Sequence, residues 1–302
     1  MKAYYENRTY DSEIPVSAFT VKDLNFVAHW HTEIEMIFVC EGQIGAGINS
    51  AYKVLQKGDI SICGSNDIHY YNSEAMSSTS ILIIFRSEVL NAFKYWHEDI
   101  YPRSVFIDQD SFVKEASGDL QVCLNMIFNQ ILNEIAQKKN MYSQFTDLRI
   151  FELFLTLFRS FPDYYADSKS NPAGSNAPAY IKPMQIALQY LEENYAQDIT
   201  LEQISKHANL SRFYFSRLFR KATGMNFNIY LNRIRVDNSE ILIKNTRKPI
   251  IEIAYETGFS SIRTFNRSYK TIKGCTPMSQ RHNKTSPCFI KKISGASNPA
   301  RF

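Results

Sequence analysis

The sequence predicts an α+β multidomain protein. A front of short β-strands with flanking helices precedes an all-α C-terminal part, in which a linker helix joins two helix-turn-helix motifs. Three observations predict it. Between residues 33 and 86, short apolar segments alternate with turn residues, the mark of a sandwich or barrel. From Leu120 the apolar period becomes helical. Residues 200–224 and 249–274 are two copies of one pattern: Ile204 aligns with Ile253, Asn209 with Gly258, Phe215 with Phe265, Phe219 with Tyr269 and Gly224 with Gly274. The second copy has one extra residue in its turn.

Composition bounds the rest. A chain of 302 residues has room for about two domains, and 44% hydrophobic with 21% charged residues is ordinary for a soluble protein. No apolar run approaches membrane-span length and the first residues lack a secretory core, so no membrane partner is expected. Five cysteines without a CxxC pair predict neither a disulfide framework nor a zinc site, and fit a reduced cytoplasm. The net charge of +4 is unevenly spread. Residues 180–302 hold 20 Lys+Arg and 8 Asp+Glu, against 14 and 22 in residues 1–179. A basic C-terminal third behind an acidic front suits a nucleic-acid binder joined to another module.

The elements follow in chain order. Residues 1–28 predict an arm and a first strand. Residues 33–41 alternate as a strand that Gly42, Gly45 and Gly47 should break, with a hairpin turn at Asn49-Ser50. Further strands are expected around Val54, at 59–63, 69–72 and 80–86. Ser87 is placed to cap a helix over 88–97. Leu124, Ile127, Phe128, Ile131, Leu132 and Ile135 define an amphipathic helix. The next helix, 141–161, is apolar on more than one face through Leu148, Phe151, Phe154, Leu155, Leu157 and Phe158. One sheet covers only one such stripe, so residues 120–161 are expected to form a homodimer contact. Residues 162–178 are rich in Ser, Asn, Pro and Gly and read as a linker. Domain limits are therefore placed at 1–161, 162–179 (linker), 180–285 and 286–302 (tail).

In the first copy, Thr200 and Gln203 form a capping box, Asn209-Leu210-Ser211 turns the chain, and Gly224 ends the second helix. With Phe215, Leu218 and Phe219 inward, Phe213, Ser216, Arg217 and Arg220 face outward. In the second copy Pro249 starts the first helix, Gly258 makes the turn, and Ser260 or Ser261 caps the next. Phe265, Tyr269 and Ile272 face in, and Arg263, Asn266, Arg267 and Lys270 face out. Arginine can bond bidentately to guanine and asparagine to adenine in the major groove, and nearby cations neutralise phosphates. Residues 227–244, with Tyr230, Ile234, Ile241 and Leu242, read as one helix about 27 Å long. That could hold the two readers about one DNA turn apart.

Residues 233–242, Ile253-Ala254, Gly258-Phe259-Ser260, 265–270 and Gly274-Cys275-Thr276-Pro277 resemble the AraC/XylS family of bacterial transcriptional regulators. The likeness covers about 100 residues, from Pro183 to Arg281. Ser239, Tyr269 and Gln280 depart from the family pattern, which usually has Ala, Phe and Tyr there. The resemblance implies a non-enzymatic regulator, an activator or a repressor, with double-stranded promoter DNA and RNA polymerase as partners. It places base contacts on Phe213, Ser216, Arg217, Arg263, Asn266 and Arg267.

Ahead of this, His29-Trp30-His31, Glu35, Gly42, Gly58-Asp59 and His69 resemble both motifs of the cupin fold, a small β barrel, with Gly64 and Asn66 departing from it. The resemblance implies a sensor whose pocket for a small-molecule effector, a sugar or related metabolite, is lined by His29, Trp30, His31, Glu35 and His69. Trp30, Tyr70 and Tyr71 suit a stacking wall for a sugar, or a barrel core. In cupin enzymes the equivalents of His29, His31, Glu35 and His69 hold a metal, so the alternative is a metal-dependent enzyme fused to a DNA-binding module. A structural role for these side chains is the third reading. No cofactor is expected.

Overall fold

The computed structural model describes residues 14–91, 100–102, 104–108, 110–111, 118–162, 165–167 and 179–282. His97, most of the expected linker and the tail at 286–302 lie outside them. So does the rest of the helix expected after Ser87, of which Glu88–Asn91 (α1) is described.

The front is built from β1 (Val16–Lys22), β2 (Phe26–His29), β3 (Ile34–Ile48), β4 (Ala51–Gln56), β5 (Ile60–Cys63), β6 (His69–Asn72) and β7 (Ser78–Phe85). Short strands β8 (Ile100–Pro102) and β10 (Tyr165–Asp167) pair with each other, and β9 (Val105–Ile107) pairs with β5. The glycines expected to break β3 do not end it. Its first half pairs with β7 and β5, its second with β4 and β6. The change of partners falls at a bulge between Val39 and Glu41, next to Gly42 at φ +70°. A Cβ on Gly42 would stand 1.9 Å from the Ser77 carbonyl oxygen, so only glycine fits there.

One long strand thus serves two sheets, β1-β7-β3-β5-β9 and β2-β6-β3-β4. The closed barrel of the expectation is not formed among the described residues, because no pairing joins β1 to β9. The two sheets enclose a core of Val21, Ile37, Val39, Ile44, Leu55, Tyr71, Leu82 and Ile84. On the other face of the first sheet lie α2 (Gly118–Gln137) and α3 (Tyr142–Ser160). There Phe38 stacks on Phe128 at 5.0 Å and Phe85 meets Phe154 edge-on at 5.7 Å. Helix α3 buries Ile150, Leu153, Phe154 and Leu157. Leu148 and Leu155, from its second apolar face, remain 47% and 48% exposed.

The C-terminal part comprises α4 (Ile181–Asn194), α5 (Leu201–His207), α6 (Arg212–Thr223), α7 (Phe227–Asn245), α8 (Ile250–Glu256), α9 (Ile262–Lys273) and α10 (Pro277–His282). It has two cores. The first joins α4 to α6 with the start of α7, through Met184, Leu188, Ile204, Phe215, Phe219, Tyr230 and Ile234. The second joins the far end of α7 to α8 and α9, through Val236, Ile243, Ile253, Phe259, Phe265 and Tyr269. Because α7 serves two cores on different faces, its apolar residues follow no single stripe. Ile241, one of the apolar residues named for this helix, is 41% exposed, and Ile243 is buried.

Candidate nucleic-acid interface and buried histidine cluster

Both helix-turn-helix units form as the repeat implies. In the first, the Thr200 hydroxyl accepts from the Gln203 backbone N–H, and the Gln203 side chain accepts from the Thr200 N–H at 2.8 Å. The chain turns at Asn209, φ +54°, a left-handed position that asparagine tolerates. Ser211 occupies the N-cap of α6 without a side-chain cap bond, and Gly224 closes it at φ +72°. In the second unit the turn is at Gly258, φ +88°, where a Cβ would stand 2.8 Å from the backbone of Ala196. Pro249 is the N-cap of α8, one residue before the helix. Of the two serines, Ser261 caps α9, accepting from the Thr264 N–H at 3.2 Å.

Burial on α6 and α9 divides as expected. Phe215, Leu218, Phe219, Phe265 and Tyr269 are buried, and Ile272 is half-buried. Phe213, Ser216, Arg217, Arg220, Arg263, Asn266, Arg267 and Lys270 are all exposed, Phe213 at 89%. Each outward face therefore presents cations and hydrogen-bonding groups to solvent. A surface hollow beside α9 is lined by Ile250, Ile262, Asn266, Arg267, Lys270 and Met278.

Several basic residues counted in the C-terminal charge are structural instead. Arg235 donates from Nε to the Tyr195 carbonyl at 2.7 Å and from Nη2 to the Gln197 carbonyl at 2.8 Å, fastening the end of α4 to α7. Arg281 donates to the Lys248 carbonyl at 2.6 Å. Lys273, 2% exposed, pairs with Asp237 at 2.7 Å and Glu240 at 2.5 Å. Only their partners, which sequence spacing does not reveal, separate these from the exposed cations of α6 and α9.

The front domain brings His29, His31, Glu35 and His69 together. Each is 2% exposed or less, and one ligand-type atom from each lies within 4.8 Å of the other three. His29 and His69 are cross-strand partners on β2 and β6. His31 Nε2 lies 3.2 Å from one Glu35 oxygen and His69 Nε2 lies 3.5 Å from the other. The ring of His29 sits 4.1 Å from that of His69. Burial and the neighbouring His69 hold the His29 imidazole well below its ordinary pKa. Burial pushes the Glu35 carboxyl up, but His69 and His31 outweigh it and hold the group well below the usual carboxylate range. Burial raises the Cys63 thiol.

Trp30 does not join this cluster. It packs instead with Val27, Ala28, Ile68 and Tyr70 against the core of α4 to α7. Of the proposed sugar wall, only Tyr71 stays by the histidines, its ring 6.2 Å from His69. Strand alternation explains the split: on β6, His69 and Tyr71 point between the sheets while Tyr70 points toward the helices. Two bonds fasten this outer face to the helices. The Tyr230 hydroxyl donates to the Ala28 carbonyl at 2.7 Å, and Gln185 Nε2 donates to the Asn66 carbonyl at 2.8 Å. Tyr70 also fills the space a Cβ would take on Gly224, at 2.7 Å.

Known proteins supply a frame for this geometry. A family model described as a helix-turn-helix domain matches residues 204–283. The Transposon Tn10 TetD protein of Escherichia coli is 34% identical over 97 residues, 32% of this chain and 70% of TetD. The uncharacterized HTH-type transcriptional regulator YbfI of Bacillus subtilis is 24% identical over 257 residues, 83% of this chain and 86% of its own. Three other curated relatives are spanned over 38%, 44% and 55% of their length. The crystal structure of ToxT from Vibrio cholerae aligns with 90% of this chain and 98% of its own, at 12% identity and a TM-score of 0.43.

Proposed function

Since this chain belongs to the AraC/XylS family of transcriptional regulators, we propose that α6 and α9 each enter a major groove of promoter DNA and that the front domain regulates them. The observation that carries this is the duplicated outward face. Two helices of the same pattern expose Ser216, Arg217 and Arg220 on one and Arg263, Asn266, Arg267 and Lys270 on the other, while burying Phe215, Phe219, Phe265 and Tyr269. Arg217, Arg263, Asn266 and Arg267 read base edges, and Arg220 and Lys270 neutralise phosphates. Phe213, far too exposed for a core residue, supplies apolar contact to thymine methyl groups. Helix α7, 19 residues long, spans about 28 Å and sets the spacing of the readers.

The front domain, residues 1–161 and cupin-like in motif, is the sensing module for a small effector, and residues 180–285 are the DNA-binding module. The shared core of β2, β6 and α4 to α7 supports this division of labour, because a change in the front domain's packing reaches the first reader directly. The exposed apolar side chains of α2 and α3, among them Met126, Phe145, Leu148 and Leu155, support a homodimer contact within residues 120–161. RNA polymerase is the partner a bound activator would recruit. The relatives named as regulators support a role without catalysis.

The test is a fluorescence-anisotropy titration of the full chain on a duplex it selects from a random pool. Arg263→Ala and Arg267→Ala should each weaken specific binding by about 1–3 kcal/mol, and wild-type affinity should fall steeply with salt. Salt-independent affinity, or two variants that bind as wild type does, would overturn the assignment of the reading face.

A further inference from the structure

Arg217 on α6 and Arg267 on α9 stand at the same place in the repeat, and their surroundings differ. The Arg217 guanidinium carbon lies 5.5 Å from the centre of the Tyr214 ring. That is inside the reach of about 6 Å of a cation–π contact. Tyr214 comes three residues earlier on α6, so the two side chains meet across one turn of the outward face. In the second copy Thr264 takes the place of Tyr214. It serves the start of α9 instead: its backbone N–H donates to the Ser261 hydroxyl at 3.2 Å, and its own hydroxyl accepts from Ser261 at 2.9 Å. Ser211, the counterpart of Ser261, makes no side-chain cap bond. The same position thus caps a helix in one copy and puts an aromatic ring beneath an exposed arginine in the other.

Neither partner of this contact is needed by the fold around it. Tyr214 is 42% exposed and lies in neither core of the C-terminal part, whose share of α6 is Phe215, Leu218, Phe219 and Ala222. Arg235, Arg281 and Lys273 are tied to carbonyls or carboxylates. Arg217 makes no ion pair or hydrogen bond among the described residues, and the Tyr214 ring is the contact that holds it.

The shape of the guanidinium lets it stack and read together. Its flat face rests on the ring, while its N–H donors point outward in the guanidinium plane. A guanine in the major groove offers N7 and O6 to that edge. The face is held and the edge stays free. An unsupported arginine samples many rotamers and loses that freedom on binding, whereas one already laid on a ring loses less.

We infer that Tyr214 is a positioning residue for the first reader, a role that holds only if α6 reads a major groove as proposed above. Its ring fixes Arg217 so that the guanidinium edge meets one guanine of the first half-site. The ring acts through Arg217 alone, and the Tyr214 hydroxyl is dispensable.

The experiment uses the full chain and the duplex it selects from a random pool, with each base pair of the site replaced in turn and affinity read by fluorescence anisotropy. Arg217→Ala identifies the G·C pair that Arg217 reads. Tyr214→Leu should lower the preference for guanine at that pair about 2- to 5-fold, the worth of an exposed cation–π contact. Tyr214→Phe should keep the wild-type preference. Added to Arg217→Ala, Tyr214→Leu should change nothing further. Affinity for an unrelated duplex, and every preference in the other half-site, should stay as in wild type.

The free wild-type chain gives a second measurement that does not depend on how Tyr214→Leu folds. The Arg217 Nε–Hε signal in its proton–nitrogen NMR spectrum, assigned by its loss in Arg217→Lys, should be shifted upfield by the ring current of Tyr214. A signal among those of unstacked arginines overturns the contact. Relaxation by Arg217→Ala with none from Tyr214→Leu overturns the positioning role alone. So does a Tyr214→Leu effect that persists without Arg217, or a Tyr214→Phe variant that falls as far as Tyr214→Leu, which would assign the effect to the hydroxyl. An Arg217→Ala variant that relaxes no base pair overturns the reading of α6 itself, and the role of Tyr214 with it.

Discussion

The two helix-turn-helix units share a pattern and an exposed, cation-bearing outward face but not a foundation. The first rests on the front domain through Tyr230, Gln185 and Tyr70. The second rests on the far end of α7, where its core of Ile253, Phe259, Phe265 and Tyr269 packs without the front domain. In its place stands a buried charge: Lys273 at the end of α9 reaches Asp237 and Glu240 on α7. The outward faces match, and the supports beneath them differ. One unit is fastened to the front domain, and the other is anchored to α7.

The largest effect that separates them is expected at Lys273. Lys273→Met leaves Glu240 and Asp237 without their buried cation and should cost about 3–5 kcal/mol. Hydrogen exchange should find the loss concentrated in α8 and α9, with α5 and α6 unaffected. Equal loss in both units would show that they are one cooperative body. The same cluster gives a pH signature. Burial raises the Glu240 carboxyl, but Lys273 and then Lys244 outweigh it, so its folded pKa lies below the ordinary value. A depressed carboxylate contributes stability above its unfolded pKa of about 4.3, and that contribution disappears as pH falls through the folded pKa. Acid should therefore loosen the second unit, and Lys273→Met should flatten the dependence in a thermal melt.

Next comes the turn. Gly258→Ala meets both a left-handed φ of +88° and a backbone contact at 2.8 Å, and should cost about 1–3 kcal/mol or more. Asn209→Ala, at the matching place in the first unit, has only the conformational cost of about 1 kcal/mol. Melting temperatures that fall equally would remove the distinction between the two turns. A further effect is expected at the docking bond. Tyr230→Phe leaves the buried Ala28 carbonyl without its donor and should cost about 1–3 kcal/mol, read as faster exchange in β2. Unchanged exchange there would show that the hydroxyl does not hold the first unit to the front domain.

Much of this was legible in the sequence. The repeat fixed which faces of α6 and α9 point inward, because periodicity and glycine caps are local properties. The strand at His69–Asn72 and the turn at Asn49 were likewise readable from local signals. What sequence could not supply were partners distant in the chain. Trp30 sits beside two cluster histidines yet faces the helices, because strand alternation sends neighbours to opposite sides. Gly42 looked like a strand end and is the point where one strand changes sheets. Arg235, Lys273 and Arg281 count toward the basic charge like any reader, and only their contacts mark them as braces.

The central claim, two readers on one duplex, is tested most directly by selecting binding sites from random DNA with the wild-type chain and with Arg217→Ala and Arg263→Ala. Wild type should yield two half-sites about 10–10.5 base pairs apart. Arg217→Ala should relax preference in one half-site only, and Arg263→Ala in the other only. A single half-site, or both variants relaxing the same one, would contradict the account.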